Sequence, residues 1–170
     1  VDQDRREGFS DAFSIQTPVT KTKIDLGTEK QASIEIKKIA SAFGAGLVGI
    51  TNYDSRWEYS NKYSDISLKS HPPEIPENLN NVIVVAQPMD YELIKTVPSA
   101  LSGSATGLGY SHDALTVLSL TQYIRNLGYE AIGSMNDTSL AIPYAIKAGL
   151  GEYGKNGLVI TNKFGPRVRL

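Results

Sequence analysis

Two stretches of the chain repeat hydrophobic residues at roughly the spacing of an α-helix. In the first, over residues 29–42 and just beyond, the apolar positions are Ile34, Ile36, Ile39, Ala40 and Phe43. Thr28 stands where a helix N-cap is expected, and Gly44 and Gly46 stand where a helix commonly ends. The pattern predicts a first helix over residues 29–42.

The second stretch runs from about residue 111 to residue 127. Its mostly apolar stripe has spacings of three and four and consists of Ala114, Val117, Leu118, Thr121, Ile124 and Leu127. The stripe predicts a long helix that leaves Arg125 in water. Tyr110 and His112 are then expected at the start of this helix.

Continuous apolar or β-branched runs of strand length separate the helical patterns. They are Leu47–Thr51, Asn81–Ala86 and Leu158–Thr161. The run over 81–86 is typical of a strand covered on both faces. Gly128 is expected to stop the long helix and to lead into a further strand near Ile132, and a shorter helix is predicted over 139–148. The alternation predicts an α/β (α+β) fold.

Residues 52–81 differ in composition from the segments on either side. They set four aromatic residues among Asp, Lys and Ser, namely Tyr53, Trp57, Tyr59 and Tyr63. The segment is too polar for a core and too aromatic for a plain linker. We therefore expect an ordered insertion or lid, against the alternative of a mobile loop that contacts nothing.

The overall composition is that of one globular domain. Hydrophobic residues make up 41% and charged residues 21% of the 170 positions, which is enough to bury one core. Lys plus Arg is 17 against 18 for Asp plus Glu, so the net charge of -1 gives no long-range attraction for nucleic acid. No apolar run approaches the roughly 20 residues that cross a bilayer. The polar start, residues 1–6, contains no signal peptide pattern.

The chain contains no cysteine and only two histidines. The lack of cysteine excludes disulfides, thiol catalysis and cysteine-ligated clusters within these residues. His71 and His112 are far apart in the sequence, so we expect no protein-ligated metal site. Any redox metal must then arrive inside a cofactor.

The segment from Gly149 to Gly157 is rich in glycine. Its candidate ligand-binding residues are Gly149, Leu150, Gly151, Gly154, Lys155, Asn156 and Gly157. It matches the dinucleotide-binding glycine pattern in letters but follows a predicted helix and leads into a strand, the reverse of that motif's context. It also lacks the Ser or Thr that completes a phosphate-binding P-loop. Two interpretations stay open: glycines that only end a helix and form turns, or backbone that approaches a bound ligand closely.

Three motifs of this chain resemble the corrinoid-dependent reductive dehalogenases. They are the run Ile142–Ile160 with its Gly-Leu-Gly and Gly-Lys-Asn elements, the run Phe164–Leu170, and Ser104–Ser111 upstream. The last is most similar to the members that act on chlorinated ethenes. Epoxyqueuosine reductases share the glycine elements, so those alone indicate a superfamily and not a substrate.

The resemblance implies a nitroreductase-like, cobalamin-binding core with an insertion. Residues 1–170 would be a fragment of one corrinoid-binding catalytic domain, with 52–81 as the insertion folding over the cofactor's edge. The corrinoid would be held base-off. Two [4Fe-4S] clusters would belong to a further domain, whose cysteines in the family follow the Phe164–Leu170 motif and are expected after residue 170.

The resemblance also assigns roles to individual residues. Tyr110 matches the family's proton donor, Asn136 the polar residue beside it, and Arg169 the cation that completes the site. An ordinary phenol is a weak acid with a pKa of about 10, and both a guanidinium and a helix N-terminus would stabilise the phenolate. Thr106 is a candidate for the substrate pocket if the helix begins early. Without the resemblance, the same residues would be a core tyrosine, a turn asparagine and an exposed arginine.

The function expected from the resemblance is reductive dehalogenation of small organohalides, chlorinated ethenes in particular, with Tyr110 as proton donor. Implied partners are an external electron donor, a membrane-anchor protein and a second copy in a homodimer, without nucleic acid. The implied location is the periplasmic side of the cytoplasmic membrane after Tat export. Two alternatives remain: an epoxyqueuosine reductase, which predicts a basic face and an acidic residue in place of Tyr110, and a corrinoid-binding module without catalysis.

Overall fold

The structure is a computed structural model that describes residues 18–64, 68–136 and 138–170. Its elements in chain order are α1 (Glu29–Ala42), β1 (Leu47–Asn52), a 3-10 turn (Ser55–Trp57), β2 (Lys62–Ser64), β3 (Lys69–His71), β4 (Asn81–Pro88), α2 (Tyr91–Ile94), α3 (Ala100–Asn126), α4 (Ala141–Lys147), β5 (Glu152–Tyr153), β6 (Val159–Ile160) and β7 (Val168–Arg169). Mixed helices and strands confirm the expected fold class.

The central sheet has the strand order β1-β4-β7, and both pairings are antiparallel. Strand β4 is its middle strand, and four consecutive residues from Val84 to Gln87 are buried. Val85 packs into a cluster with α1 and α3, whereas Val84 packs into a second cluster with Tyr144 of α4. The prediction of a strand covered on both faces is confirmed. Because its pairings are antiparallel, the sheet is of the α+β type.

Helix α1 has the bounds that its hydrophobic pattern predicts. Thr28 forms a capping box with Gln31, in which each side chain bonds the other residue's backbone N–H. Ile36 and Ala40 are its buried residues, and they face Val85 of β4 and Leu120 of α3. Local capping and long-range packing therefore agree for this element.

Helix α3 begins at Ala100, well before the predicted start near residue 111. Ser99 caps it through the backbone N–H of Ser102, and Ser102 returns the bond to Ser99. This capping, together with burial of one face of the first turns, outweighs the roughly 1 kcal/mol that each interior glycine costs relative to alanine. The expectation that Tyr110 and His112 lie at a helix N-terminus is wrong: both lie in the interior of a 27-residue helix.

The buried face of α3 is also more polar than the predicted stripe. Asp113, Thr116 and Gln122 are almost fully buried. The Thr116 hydroxyl accepts a hydrogen bond from the Gln87 side chain at 2.7 Å and donates to the carbonyl oxygen of Phe43 at 3.0 Å, which ties α3 to β4 and to the end of α1. Arg125 was expected in water, but it is half-buried.

The segment after α3 contains no strand near Ile132 in the described residues, so that prediction is wrong. Gly128 has a φ of +86°, and a side chain there would collide with the backbone of Thr22 and Lys23. Residues 20–24 take the backbone partners at the end of α3, through Thr20 N–H to Arg125 and Ile24 N–H to Leu127. The chain after Gly128 therefore runs as coil.

The aromatic segment 52–81 joins β1 to β4 and contacts α4. The Trp57 ring packs edge-to-face on Tyr144 with 4.8 Å between centroids. The Tyr144 hydroxyl lies 3.0 Å from both the backbone nitrogen and the carbonyl oxygen of Asp54, and Leu140 N–H bonds the Trp57 carbonyl at 2.8 Å. Burial raises the pKa of Tyr144, which keeps the hydroxyl protonated as a donor.

Candidate active site

Tyr110 and Arg169 form the centre of the candidate site. The guanidinium carbon of Arg169 lies 3.5 Å from the centroid of the Tyr110 ring, within the range of a cation–π contact. The Tyr110 side chain remains 40% exposed, so a bound molecule can reach it. The structure thus brings together two residues that were predicted from separate motifs.

The sheet register and one glycine produce this contact. Arg169 pairs with Gln87 in the antiparallel β4–β7 ladder, which holds the arginine against the face of α3. Gly109 lies at the point of contact, where an added Cβ would stand 3.0 Å from Arg169 Cγ and 3.5 Å from Met89 Cγ. A side chain at 109 would therefore push on the arginine stem.

Two buried polar atoms, one on β7 and one on α3, have no hydrogen-bond partner among the described residues. They are Nε of Arg169 and Oδ1 of Asp113, which is only 2% exposed. Burial raises the pKa of Asp113, and the positive charge of Arg169 opposes that shift. Unpaired buried polar atoms are rare and call for an explanation.

The sequence interpretation did not single out Asp113. The sequence did contain a signal for this residue. Asp113 is a carboxyl in the predicted helical stretch, three positions after a candidate catalytic tyrosine. Residues three and four apart share a helix face, so a helix that includes both residues places Asp113 on the same side as Tyr110. The predicted helix start near residue 111 put Tyr110 at the helix N-terminus and not in the helix interior, where it lies.

The other two predicted site residues, Asn136 and Thr106, make no contact with this pair that the structure shows. Asn136 is exposed in the loop between α3 and α4, and it makes no hydrogen bond with Tyr110 or Arg169 in the described part of the chain. Thr106 is half-buried one turn before Tyr110 on α3, since the helix does begin early. Its hydroxyl donates to the Ser102 carbonyl at 3.3 Å.

The glycine-rich segment ends α4 and forms the β5–β6 hairpin. Gly149 has a φ of +76° and its N–H bonds the Ile146 carbonyl, while Leu150 N–H bonds Ala145, which together make a Schellman helix end. Leu150 also packs into the hydrophobic cluster around Tyr144. The first part of the segment therefore has a structural explanation of its own.

The hairpin glycines are required by close packing. A side chain at Gly151 would collide with the Ile160 carbonyl oxygen, and one at Gly154 with Asn156 and Ile160. Gly157 has a φ of +79°. Lys155 and Asn156 are exposed at the tip, where Asn156 Oδ1 accepts from Leu158 N–H at 3.2 Å. These two side chains are the part of the segment best placed to reach a ligand.

A cavity of about 930 Å³ lies between the sheet and helices α1 and α3. Ile36, Leu120 and Ile124 contribute to its wall, and Asp113 places a carboxyl there. The volume is within the usual range of small-molecule sites. Asp113 thus lies in the wall of this cavity, whereas Tyr110 and Arg169 are not among its lining residues.

Among helices in the described residues, none combines the length and hydrophobicity that crossing a bilayer requires. No protein-family model matches the chain.

Curated relatives do match. The tetrachloroethene reductive dehalogenase of Dehalobacter restrictus is 36% identical over 177 residues, which cover 84% of this chain and 32% of the relative. That of Sulfurospirillum multivorans is 31% identical over 160 residues, covering 79% of this chain and 32% of the relative. The chain therefore spans about a third of the length of these curated relatives.

Solved structures share the fold. The catabolic reductive dehalogenase NpRdhA in complex with 3-bromo-4-hydroxybenzoic acid superposes with a TM-score of 0.73 at 21% identity, over 92% of this chain and 23% of that one. A reductive dehalogenase described with a mechanism for B12-dependent dehalogenation gives a TM-score of 0.71 at 21% identity and the same coverage. Over 84% of its length the chain is similar in sequence to tetrachloroethene reductive dehalogenases, and it shares the fold of the solved reductive dehalogenases.

Proposed function

We propose that this segment carries the proton-donating part of a reductive dehalogenase active site. The observation that carries the proposal is the Arg169 guanidinium lying on the ring of Tyr110, a partly exposed phenol. The relatives named as tetrachloroethene reductive dehalogenases make small chlorinated ethenes the favoured substrate class.

In the proposed reaction, a carbon–halogen bond is replaced by a carbon–hydrogen bond. The organohalide takes up two electrons and one proton and releases halide. A bound corrinoid would supply the strongly reducing cobalt for this chemistry. Tyr110 gives its hydroxyl proton to the carbon that loses the halide, and Arg169 stabilises the phenolate that is left. Arg169 does not itself serve as the acid, because a guanidinium keeps its proton under ordinary conditions.

The residues present fit a corrinoid at the β5–β6 tip. The exposed Lys155 and Asn156 at the β5–β6 tip can hold polar groups at its periphery, Lys155 near a phosphate and Asn156 at an amide. Gly149, Gly151, Gly154 and Gly157 shape that tip, with Leu150 anchoring it in the core. We propose that the corrinoid is bound base-off, and that residues 52–81 cover its edge as a lid.

Two further residues are proposed for the substrate side of the site. Thr106 lies one turn before Tyr110 on the same helix, which suits a pocket wall. Asn136 carries both a donor and an acceptor, and it is proposed to orient the Tyr110 hydroxyl in the cofactor-loaded protein. Its exposed loop position leaves it accessible to a ligand.

The remaining parts of the proposal concern the whole protein. It includes two [4Fe-4S] clusters that pass electrons from an external donor, Tat export to the periplasmic side of the membrane, a membrane-anchor partner and a homodimer. The relatives favour this enzyme over an epoxyqueuosine reductase, and the net charge of -1 gives no support for binding tRNA. A corrinoid-binding module without catalysis is separated by the experiment below.

The test is reconstitution of the full-length protein with corrinoid and clusters. We expect a base-off cobalamin absorption spectrum and reduction of tetrachloroethene. Tyr110→Phe should keep the corrinoid content and lower turnover by about 100-fold or more, the low end for loss of a positioned general acid.

Tyr91→Phe is the matched control, because the ring of Tyr91 also carries an arginine, with Arg167 Cζ 5.4 Å from its centroid. Its turnover should stay near that of the parent. A base-on or histidine-ligated spectrum contradicts the cofactor assignment. Full turnover in Tyr110→Phe contradicts the proton donor, and a corrinoid-loaded parent without any turnover supports the binding module.

A further inference from the structure

One edge of strand β4 has no partner over most of its length among the described residues. Strand β1 pairs with the other edge from Asn81 to Ala86, whereas β7 reaches only Gln87 and Pro88. The open part is hydrophobic, since residues 82–86 contain no charged residue and no proline. Natural proteins cover, shorten or charge such an edge, because its unpaired backbone groups attract another strand. This edge therefore needs an occupant.

The backbone groups of two β4 residues point to the open edge. On the β7 side, Met89 N–H bonds the Arg167 carbonyl at 2.9 Å. Backbone groups alternate between the two edges along a strand, so those of Val85 and Ile83 point to the same side as those of Met89. No described strand pairs with them there. Val85 is buried, and buried backbone N–H and C=O groups are nearly always paired in native proteins.

The open edge borders the cavity of about 930 Å³ between the sheet and the helices. Ile83, Val84 and Val85 line this cavity, and so does Leu170, which directly follows β7. Leu170 also packs into the hydrophobic cluster that contains Val84 and Tyr144. The backbone that leaves β7 therefore enters the cavity beside the unpaired edge.

The position of Leu170 agrees with continued pairing along β4. Arg169 pairs with Gln87 in the antiparallel ladder. Continued pairing places Leu170 opposite Ala86, and directly opposite residues point to the same face of a sheet. Leu170 does lie on that face, because it packs in one cluster with Val84, two positions from Ala86. The register of β7 thus leads the backbone along the open edge and not away from it.

We infer that the open edge of β4 is the binding surface for the segment that follows Leu170 in the full-length protein, which extends β7 and fills the cavity. The first and third residues of this segment bond the backbone of Val85 and Ile83, and their side chains point toward α1 and α3. The second and fourth point toward Tyr144. The inference requires a full-length protein that continues after Leu170, as proposed above, but not that it reduces organohalides.

Continuity along the chain favours this occupant over a second copy or a bound corrinoid. Because β7 is already in register, the next residue reaches Val85 without the entropy cost of closing a loop. A strand from a second copy would meet the end of the edge that β7 already occupies. The present chain covers 32% of the Dehalobacter relative, so a protein of that length has further chain to supply.

The experiment is amide hydrogen exchange at single-residue resolution in the full-length protein, with and without corrinoid. The reference amides are those of Val82 and Val84, which point to β1. We expect the amides of Ile83 and Val85 to exchange within about tenfold of these references in both states. Faster exchange than that shows an open edge and overturns the inference. Protection that needs corrinoid, or that appears only where a dimer forms, assigns the edge to another occupant and also overturns it.

A pair of proline variants identifies the segment and its register. Proline at the third residue after Leu170 removes an N–H that bonds the Ile83 carbonyl, whereas proline at the second removes one that points away from β4. We expect exchange at Ile83 and Val85 to rise at least tenfold in the third-residue variant and to stay near the parent in the second. Equal exchange in the two variants overturns the inference.

A cavity-filling substitution gives an independent measurement. Ala32 of α1 lines the cavity, and Ala42, the last residue of the same helix, is exposed. In the full-length protein Ala32→Phe should lower the melting temperature because the space is already occupied, while the matched Ala42→Phe should leave it nearly unchanged. An Ala32→Phe variant as stable as the parent, or more stable, shows an empty cavity and overturns the inference. Neither exchange nor melting temperature depends on turnover, so failure of the proposed function leaves these outcomes readable.

Discussion

Arg169 lies with its guanidinium carbon 3.5 Å from the centre of the Tyr110 ring, although the two residues are far apart in the sequence. One is held on β7 by pairing with Gln87, and the other projects from the middle of α3. The contact exists because Gly109 leaves room for the arginine stem. The candidate site is therefore a helix–strand contact, in which the acid and the cation come from different elements.

Arg169→Lys tests whether the planar guanidinium matters as well as its charge. A lysine keeps the positive charge but cannot stack a planar group on the ring. We expect a loss of about 1–2 kcal/mol of transition-state stabilisation, which is roughly tenfold in turnover of the cofactor-loaded protein. Arg167→Lys is the control, since Arg167 donates to the Met89 carbonyl and should affect stability and not turnover. Equal turnover in Arg169→Lys and the parent would show that charge alone suffices.

Gly109→Ala tests the space on which the contact depends. The added Cβ would stand 3.0 Å from Arg169 Cγ, so the arginine must shift, and we expect turnover to fall without a gain in stability. Gly103→Ala is matched to it, because Gly103 lies in the same helix with nothing within 4 Å of an added Cβ. That variant should stabilise the protein by about 0.5–1 kcal/mol through the higher helix propensity of alanine. The measurements are thermal unfolding and turnover of both variants. Identical stability and turnover in the two variants would contradict the prediction.

The buried Asp113 predicts a pH-dependent stability difference. Burial raises the pKa of the Asp113 carboxyl, so the folded protein favours the neutral form. The stability that the neutral carboxyl provides is fully present below the unfolded pKa of about 3.9, and it is lost as the pH rises through the folded pKa. The Asp113→Asn variant cannot ionise at this position, so its stability does not fall in this way. The melting temperature of the variant relative to the parent should therefore increase from acid to neutral pH. A difference that is constant across this range would show that Asp113 ionises in the folded protein as it does in solution.

The aromatic segment 52–81 is expected to be protected from proteolysis by the corrinoid. Trypsin cleavage after Arg56, Lys62 and Lys69 should slow when the cofactor is bound, if the segment closes over its edge. Cleavage after Lys21, which is exposed in the segment before α1, serves as the reference. Equal cleavage rates at the three sites with and without corrinoid would reject the lid. The contact of Trp57 with Tyr144 would then serve only to stabilise the fold.

The sequence was informative wherever local rules and packing agree. Thr28 and the apolar spacing after it predict α1 with its observed bounds, because the capping box and the buried face are both local in sequence. The β-branched run at 81–86 likewise predicts a strand covered on both faces, which β4 is. The motifs at Ser104–Ser111, Ile142–Ile160 and Phe164–Leu170 were enough to indicate the family.

Tertiary structure decided the start of α3 and the composition of the site. Glycines at 103 and 107 argue locally against a helix, but the Ser99 cap and burial of Ser102 and Ala105 outweigh them. The position of Arg169 on Tyr110 follows from the β4–β7 register, which no pattern within either segment contains. Tyr110 lies in the interior of α3, and not at its start, because the helix is longer than its local pattern predicts. Sequence periodicity reports which side of an element is buried, whereas the partner on that side is set by pairings between residues distant in the chain.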